Sequence, residues 1–283
     1  MTILVATGLH KEAGILAGPG VVVVAGGGDG ARLERELEAA AKDATAILSC
    51  GLAGALAPEL KAGDLVLGSL SQREREGAHA EGMGRVRVTG EVEPDNHPHP
   101  SAASRLQHRV NSVPRYSDHA GGMIDPMLSP AGRGNAALIE RLATQIPSAQ
   151  VGTITGSDTI VATAAQKQAL HAKTGALAVD MESHIAARVA ARHNLPFAII
   201  RVISDSADEA LPPAALAGMK PDGSMALGAV LASLARNPAQ LPALIRTGIH
   251  AGRAFAELRR VRDVLGSLGV GLADDLQLPL DMR

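Results

Sequence analysis

Hydrophobic residues in the first part of the chain come in short runs rather than helical stripes. Residues 3–7 form one run, Val21–Ala25 is four valines and an alanine, and further runs lie at 46–50 and 64–68. Apolar runs of about four to eight residues, bounded by glycines, predict strands buried on both faces. Between them, 11–16 predicts one or two helical turns, and 31–42 carries charge at helical spacing. From residue 135 the alternation resumes. The pattern predicts helix over 136–144, strand over 151–155, helix over Ala164–Thr174, strand over Ala178–Asp180, helix over 182–193 and strand over 197–203. Residues 224–268 predict helix interrupted near Pro238 and Pro242. The tail 269–283 is expected to lie loosely on the surface. Strands alternating with helices predict an α/β fold, with a largely parallel central sheet flanked by helices.

Residues 72–133 break the pattern. They hold six of the 16 prolines and five of the ten histidines, with little periodicity. A structureless loop of that length inside a compact domain runs against common loop lengths. A strand near 85–89 and a mobile segment covering the substrate are therefore expected. No repeat and no clean linker divides the chain, so one domain is expected over 1–268.

Charge and composition remove several function classes. The formal charge of −2 argues against a protein that coats nucleic acid. Phe197, Phe255 and Tyr116 are the only aromatics, too few for base-stacking platforms. A single cysteine, Cys50, excludes a disulfide framework and a multi-cysteine metal site. The longest uncharged run, 13–28, is broken by Pro19 and several glycines, so no membrane span is expected. The start of the chain has no basic stretch before its apolar run, and a cytoplasmic protein is expected.

Four segments carry candidate chemistry. Gly26-x-Gly28-x-x-Ala31 follows a strand and opens a helix, as a dinucleotide fingerprint does. The acid that should end the next strand is missing, because that strand runs into Ser49-Cys50-Gly51. A tight turn is the stronger reading, and an NAD-linked oxidoreductase is the remote one. Ser49–Ala55 reads as a second small-residue turn. Asp180 and Glu182 stand where a strand meets a helix, a place for ligands or for a helix cap. Arg201, Ser204 and Asp205 close an apolar strand in the same way. Asp95, His97 and His99 alternate among prolines without a further ligand, so no metal site is expected.

Taken in order, these segments resemble the nucleoside phosphorylase and nucleosidase superfamily. The matching pieces are Gly8-Leu9-His10-Lys11-Glu12, Ser49-Cys50-Gly51-Leu52-Ala53-Gly54-Ala55-Leu56, Gly156-Ser157-Asp158, Val179-Asp180-Met181-Glu182-Ser183 and Arg201-Val202-Ile203-Ser204-Asp205. With Leu211-Pro212-Pro213 and Lys220-Pro221-Asp222-Gly223, the chain looks like the hopanoid-associated branch. That branch acts on adenosylhopane, an adenosine bearing a triterpene at its 5′ carbon, and releases adenine. The resemblance implies a three-layer fold with a mixed, largely parallel sheet, a homodimer, and no resident cofactor. Phosphate stays open as a co-substrate.

The resemblance also implies roles. Asp205 would protonate purine N7, working while protonated, with Ser204 orienting its carboxyl. Glu182 would hold the ribose 2′- and 3′-hydroxyls beside the developing cation, and Met181 would pack under the sugar. Glu12 matches the acid that activates water in nucleosidases. Gly8 and Arg201 would line the substrate. Ile160 stands where the superfamily often has an aromatic on the purine, and Val161 would read the adenine edge with its backbone. Leu52 occupies a phosphate-binding place that its side chain cannot serve, and Glu12 stands where phosphate would want a cation. Both departures favour water as nucleophile. A triterpene substrate also makes the 241–265 helix, arginine-rich and apolar at helical spacing, a candidate for peripheral contact with the inner membrane.

Overall fold

The computed structural model describes residues 2–70, 130–218 and 226–275; the side chains of 130–133 and 267–275 lie outside that description. The strand expected near 85–89, the covering segment and the triad of Asp95, His97 and His99 lie outside the described residues.

Among the described residues seven strands form one mixed sheet: β1 (Thr2–Thr7), β2 (Val21–Ala25), β3 (Ala44–Ala55), β4 (Leu65–Leu70), β5 (Gln150–Gly156), β6 (Ala178–Asp180) and β7 (Phe197–Asp205). β1 runs parallel to β2 and β3, and β3 parallel to β7. β4 is antiparallel to β7, and β6 antiparallel to the end of β3. β3 therefore bonds to β1, β6 and β7. Strands β3, β7, β4, β5 and β6 close on themselves, and β1 and β2 extend the sheet.

Helices cover both faces. α1 (His10–Leu16), α3 (Pro130–Gln145) and α8 (Leu241–Asp275) pack on one side; α2 (Gly30–Ala40) and α5 (Ser183–Arg192) pack on the other. α4 (Ala164–Thr174), α6 (Pro213–Gly218) and α7 (Leu227–Arg236) complete the described set. The period of two along β7 makes this division visible. Phe197, Ile199 and Ile203 join the core under α2 and α5; Ala198, Ile200 and Val202 join the core under α1, α3 and α8. Arg201 falls on the α2/α5 side of this alternation.

Two expectations are corrected. Residues 49–55 are not a turn: they continue β3, pairing in register with β7 as Gly51 with Arg201. Small residues there answer a packing demand across the sheet, not a change of direction. The helix also does not end at 268, because α8 continues to Asp275. The helical break lies at Asn237–Gln240, a 3-10 turn, and Pro242 sits inside the first turn of α8, where its missing N–H costs nothing.

Candidate active site

β1 and β6 both pair with the same edge of β3, β1 as far as Ser49 and β6 from Gly54. Between these limits the backbone is available to side chains, and Glu12 takes it. Leu52 N donates to Glu12 Oε1 at 2.8 Å. Glu12 Oε2 accepts from Thr7 Oγ1 at 2.5 Å, Gly8 N at 3.0 Å and Leu9 N at 2.8 Å. Glu12 sits in the first turn of α1, and its carboxylate collects the amides that turn leaves unpaired. It is buried at 2% exposure. Leu52 and Gly8 thus contribute backbone to the site, which explains why the Leu52 side chain carries no charge chemistry.

Arg201 is wholly buried beside it. Its Nε donates to Asp180 Oδ2 at 2.7 Å, and its Nη2 donates to Ser49 Oγ at 2.6 Å and to Ser183 Oγ at 3.2 Å. Glu182 Oε2 lies 3.6 Å from Nη2. Burial works against this charge; Asp180, Glu182 and Glu12 outweigh it and hold the guanidinium above its ordinary value. Asp180 also accepts from the backbone of Glu182 and Ser183, so it ties the start of α5, whose N-cap residue is Glu182, to Arg201. Nη1 of Arg201 is buried without a hydrogen-bond partner. A Cβ added to Gly51 would meet that Nη1 at 2.8 Å, Thr7 Oγ1 at 3.0 Å and the Glu12 carboxyl carbon at 3.1 Å. Glycine at this register position lets a guanidinium and a carboxylate converge on the strand.

Gly51→Ala is accordingly expected to push apart Arg201 and Glu12, which are too well tethered to yield. The cost of such overpacking is about 1–3 kcal/mol. A chemical denaturation curve checks it, with Gly175→Ala as a strain-only comparison at a left-handed position where no atom lies within 4 Å of the new Cβ.

Glu182 and Met181 form one wall of a pocket whose other wall is the turn at Gly26, Gly28 and Asp29, with Asp158 at the rim. Glu182 Oε1 would lie 2.8 Å from a Cβ on Gly8. Burial, and then the neighbouring Asp180 and Glu12, push the Glu182 carboxyl up to about 7 in spite of Arg201. The Gly26–Asp29 turn has positive φ at Gly27 and Gly28, and Asp29 caps α2 by accepting from Arg32 N at 2.9 Å. These are the features of a tight strand-to-helix turn.

Asp205 ends β7 at the other end of the site. Ser204 Oγ donates to Asp205 Oδ1 at 2.7 Å. Lys167 on α4 donates to Asp205 Oδ2 from a wholly buried position, and its other two protons go to the carbonyls of Ser206 at 2.7 Å and Glu209 at 2.9 Å. The sequence marks only Ser204 as a partner of Asp205 and does not single out this lysine. One signal was available: Lys167 is three residues before Leu170, whose side chain packs inward, so it sits on the inner face of α4. Val161 packs against Leu56, Ala176 and Val179 in the same region, while Ile160 is 38% exposed. Among the described residues no group of three metal-ligating side chains comes together.

Residues 8–241 match the family described as the Phosphorylase superfamily, and the chain belongs to it. It is an enzyme of the class that cleaves N-glycosidic bonds. Among solved structures it is similar to the 5′-methylthioadenosine/S-adenosylhomocysteine nucleosidase of Neisseria meningitidis, with 18% identity, a TM-score of 0.49, and coverage of 94% of this chain and 99% of that one. The corresponding nucleosidase of Helicobacter pylori gives 19% identity and a TM-score of 0.45, covering 74% and 87%. Futalosine hydrolase of Helicobacter pylori gives 18% and 0.46, covering 83% and 97%. No curated protein matches the chain. The assignment to the family rests on residues 8–241.

Proposed function

We propose that the chain hydrolyses the N-glycosidic bond of an adenine nucleoside with an apolar 5′ substituent, adenosylhopane by the branch-level resemblance, and releases adenine. The observation that carries water as nucleophile is the convergence of the Glu12 carboxylate and Arg201 Nη1 on Gly51. Three carboxylates, Glu12, Asp180 and Glu182, surround that one guanidinium. A phosphate dianion would enter a site in which Glu12 and Asp180 already exceed the charge of Arg201, and the buried Lys167 is taken up by Asp205 and the carbonyls of Ser206 and Glu209.

The reaction balances as follows. The N9–C1′ bond breaks and its electron pair goes to the purine, whose N7 takes a proton from Asp205. Asp205 rests as a carboxylate ion-paired with Lys167 and bonded by Ser204, so the proton it delivers to N7 is one that Lys167 gives up to Oδ2. Glu182 accepts the 2′- and 3′-hydroxyls and sets negative charge beside the cationic sugar. A water held by Glu12 and Arg201 attacks C1′ and passes its proton to Glu12. Solvent then removes the proton from Glu12 and returns one to Lys167.

Glu182 supplies a pH prediction. Its folded value of about 7 is above the ordinary carboxyl range, so the fold favours the neutral form. Its stability contribution is complete below the ordinary value and is lost as pH rises through about 7. The hydroxyl-binding form is the carboxylate, so kcat/KM is expected to rise across the interval in which stability falls. Glu182→Gln should remove both inflections; paired melts and pH–rate profiles check this.

The substrate is tested by the ranking of kcat/KM for adenosylhopane, methylthioadenosine, S-adenosylhomocysteine and adenosine. Adenosylhopane first supports the proposal. Methylthioadenosine or S-adenosylhomocysteine first replaces the triterpene reading with the general nucleosidase one.

A further inference from the structure

The apolar face of α8 expected from the sequence divides into two in the structure. Ala254, Leu258, Val261 and Leu265 are buried against the sheet. Leu241, Ile245 and Ile249, one turn apart in series, point away from it and are 46%, 55% and 53% exposed. α7 adds Leu227 and Leu231 at 70% and 65%. Five of the eight large apolar side chains exposed among the described residues therefore lie on these two helices, joined by the 3-10 turn Pro238–Gln240. Exposed apolar residues scattered singly need no explanation, but a concentration of this kind does.

The charge around the stripe is one-sided. Residues 226–266 contain Arg236, Arg246, Arg253, Arg259, Arg260 and Arg262 against Glu257 and Asp263, in a chain whose formal charge is −2. All six arginines are exposed, and Arg253 continues the series of Leu241, Ile245 and Ile249 by one more turn. Arg246 reaches Glu209 at 3.2 Å and Arg260 reaches Glu257 at 2.8 Å.

We infer that the exposed stripe of α7 and the first half of α8 docks on an anionic lipid surface. Apolar side chains flanked by arginines suit the boundary between headgroups and acyl chains, where the stem of arginine lies along the apolar layer and its head meets phosphate. A second copy of the chain is the less favoured occupant. A symmetric pairing of this face with itself sets the same arginines against one another, and like charges across an interface are repulsive. None of the described helices is long and apolar enough to cross a membrane, so the contact is peripheral. The inference stands apart from the identity of the substrate.

The test is co-sedimentation of the full chain with phosphatidylcholine vesicles, with and without phosphatidylglycerol. Binding is expected with phosphatidylglycerol, and it should weaken with salt. Ile245→Glu combined with Ile249→Glu should lower binding by about tenfold or more, because it replaces buried apolar surface with charge repelled by the lipid. Leu231→Glu, on the neighbouring helix, should lower it independently and serves if the double variant does not fold by circular dichroism. Val151→Glu, at an exposed apolar position on β5, should leave binding unchanged. No binding by the parent overturns the inference. So does undiminished binding by a folded double or Leu231→Glu variant. Light scattering that finds a dimer, turned to monomer by these variants with vesicle binding unaltered, assigns the stripe to a second copy instead.

Discussion

Asp205→Asn is expected to slow adenine release by about 10²–10⁴-fold, the range that positioned acid catalysis supplies. An amide in this place cannot hand a proton to purine N7. The fold should survive, because the amide oxygen can still accept from Lys167, whose other two protons remain on Ser206 and Glu209 carbonyls. Some stability is lost with the ion pair, and a thermal melt separates that from the catalytic effect. Lys167→Met distinguishes a positioning lysine from a merely structural one. If Lys167 sets the protonation of Asp205, the pH–rate profile of this variant moves along the pH axis. If it only ties α4 to the loop after β7, the melt falls and the profile keeps its shape.

Glu12→Gln carries the second large effect. The carboxylate accepts four hydrogen bonds, one from Leu52 N and three on its other oxygen. Glutamine must turn its NH2 group toward one of these donors, whichever way it lies. The variant thus loses a base worth about 10²–10⁴-fold in rate. It also gains a buried donor–donor conflict costing about 1–3 kcal/mol. The kinetic split is specific. In the proposed roles Glu12 meets water rather than the purine, so kcat should fall with little change in KM, whereas removing Glu182 should raise KM as its proposed hydroxyl contacts go. A KM effect for Glu12→Gln as large as its kcat effect would contradict the separation of roles.

How far the sequence reached depends on where each signal was local. Val21–Ala25, Ala164–Thr174 and Ala178–Asp180 are legible because their patterns lie within the element itself. The strand through 49–55 is not, since Ser49 and Gly51 are small for the sake of Arg201, about 150 positions further on and adjacent only through the β3–β7 register. The acids could be picked out as polar residues at strand and helix ends, and Arg201 as a charge within an apolar strand. Their mutual arrangement could not, because it follows from the point where β1 leaves β3 and β6 joins it. Lys167 shows the same limit. Its acceptors are Asp205 at the end of β7 and the carbonyls of Ser206 and Glu209 beyond it, and nothing in the 164–174 segment reveals them. α8 shows how one apolar periodicity can serve two purposes: the sequence marks the stripe, and only the packing separates the half that enters the core from the half that does not.

In the proposed reaction water, held between Glu12 and Arg201, cleaves an adenine nucleoside. Its most direct test is the mass of the sugar product when the purified chain turns over a 5′-substituted adenine nucleoside in oxygen-18 water, with and without phosphate. Free adenine is expected at equal rates in both conditions, with a free sugar carrying the label at C1. A sugar 1-phosphate that forms only when phosphate is present, with no labelled free sugar, would contradict it.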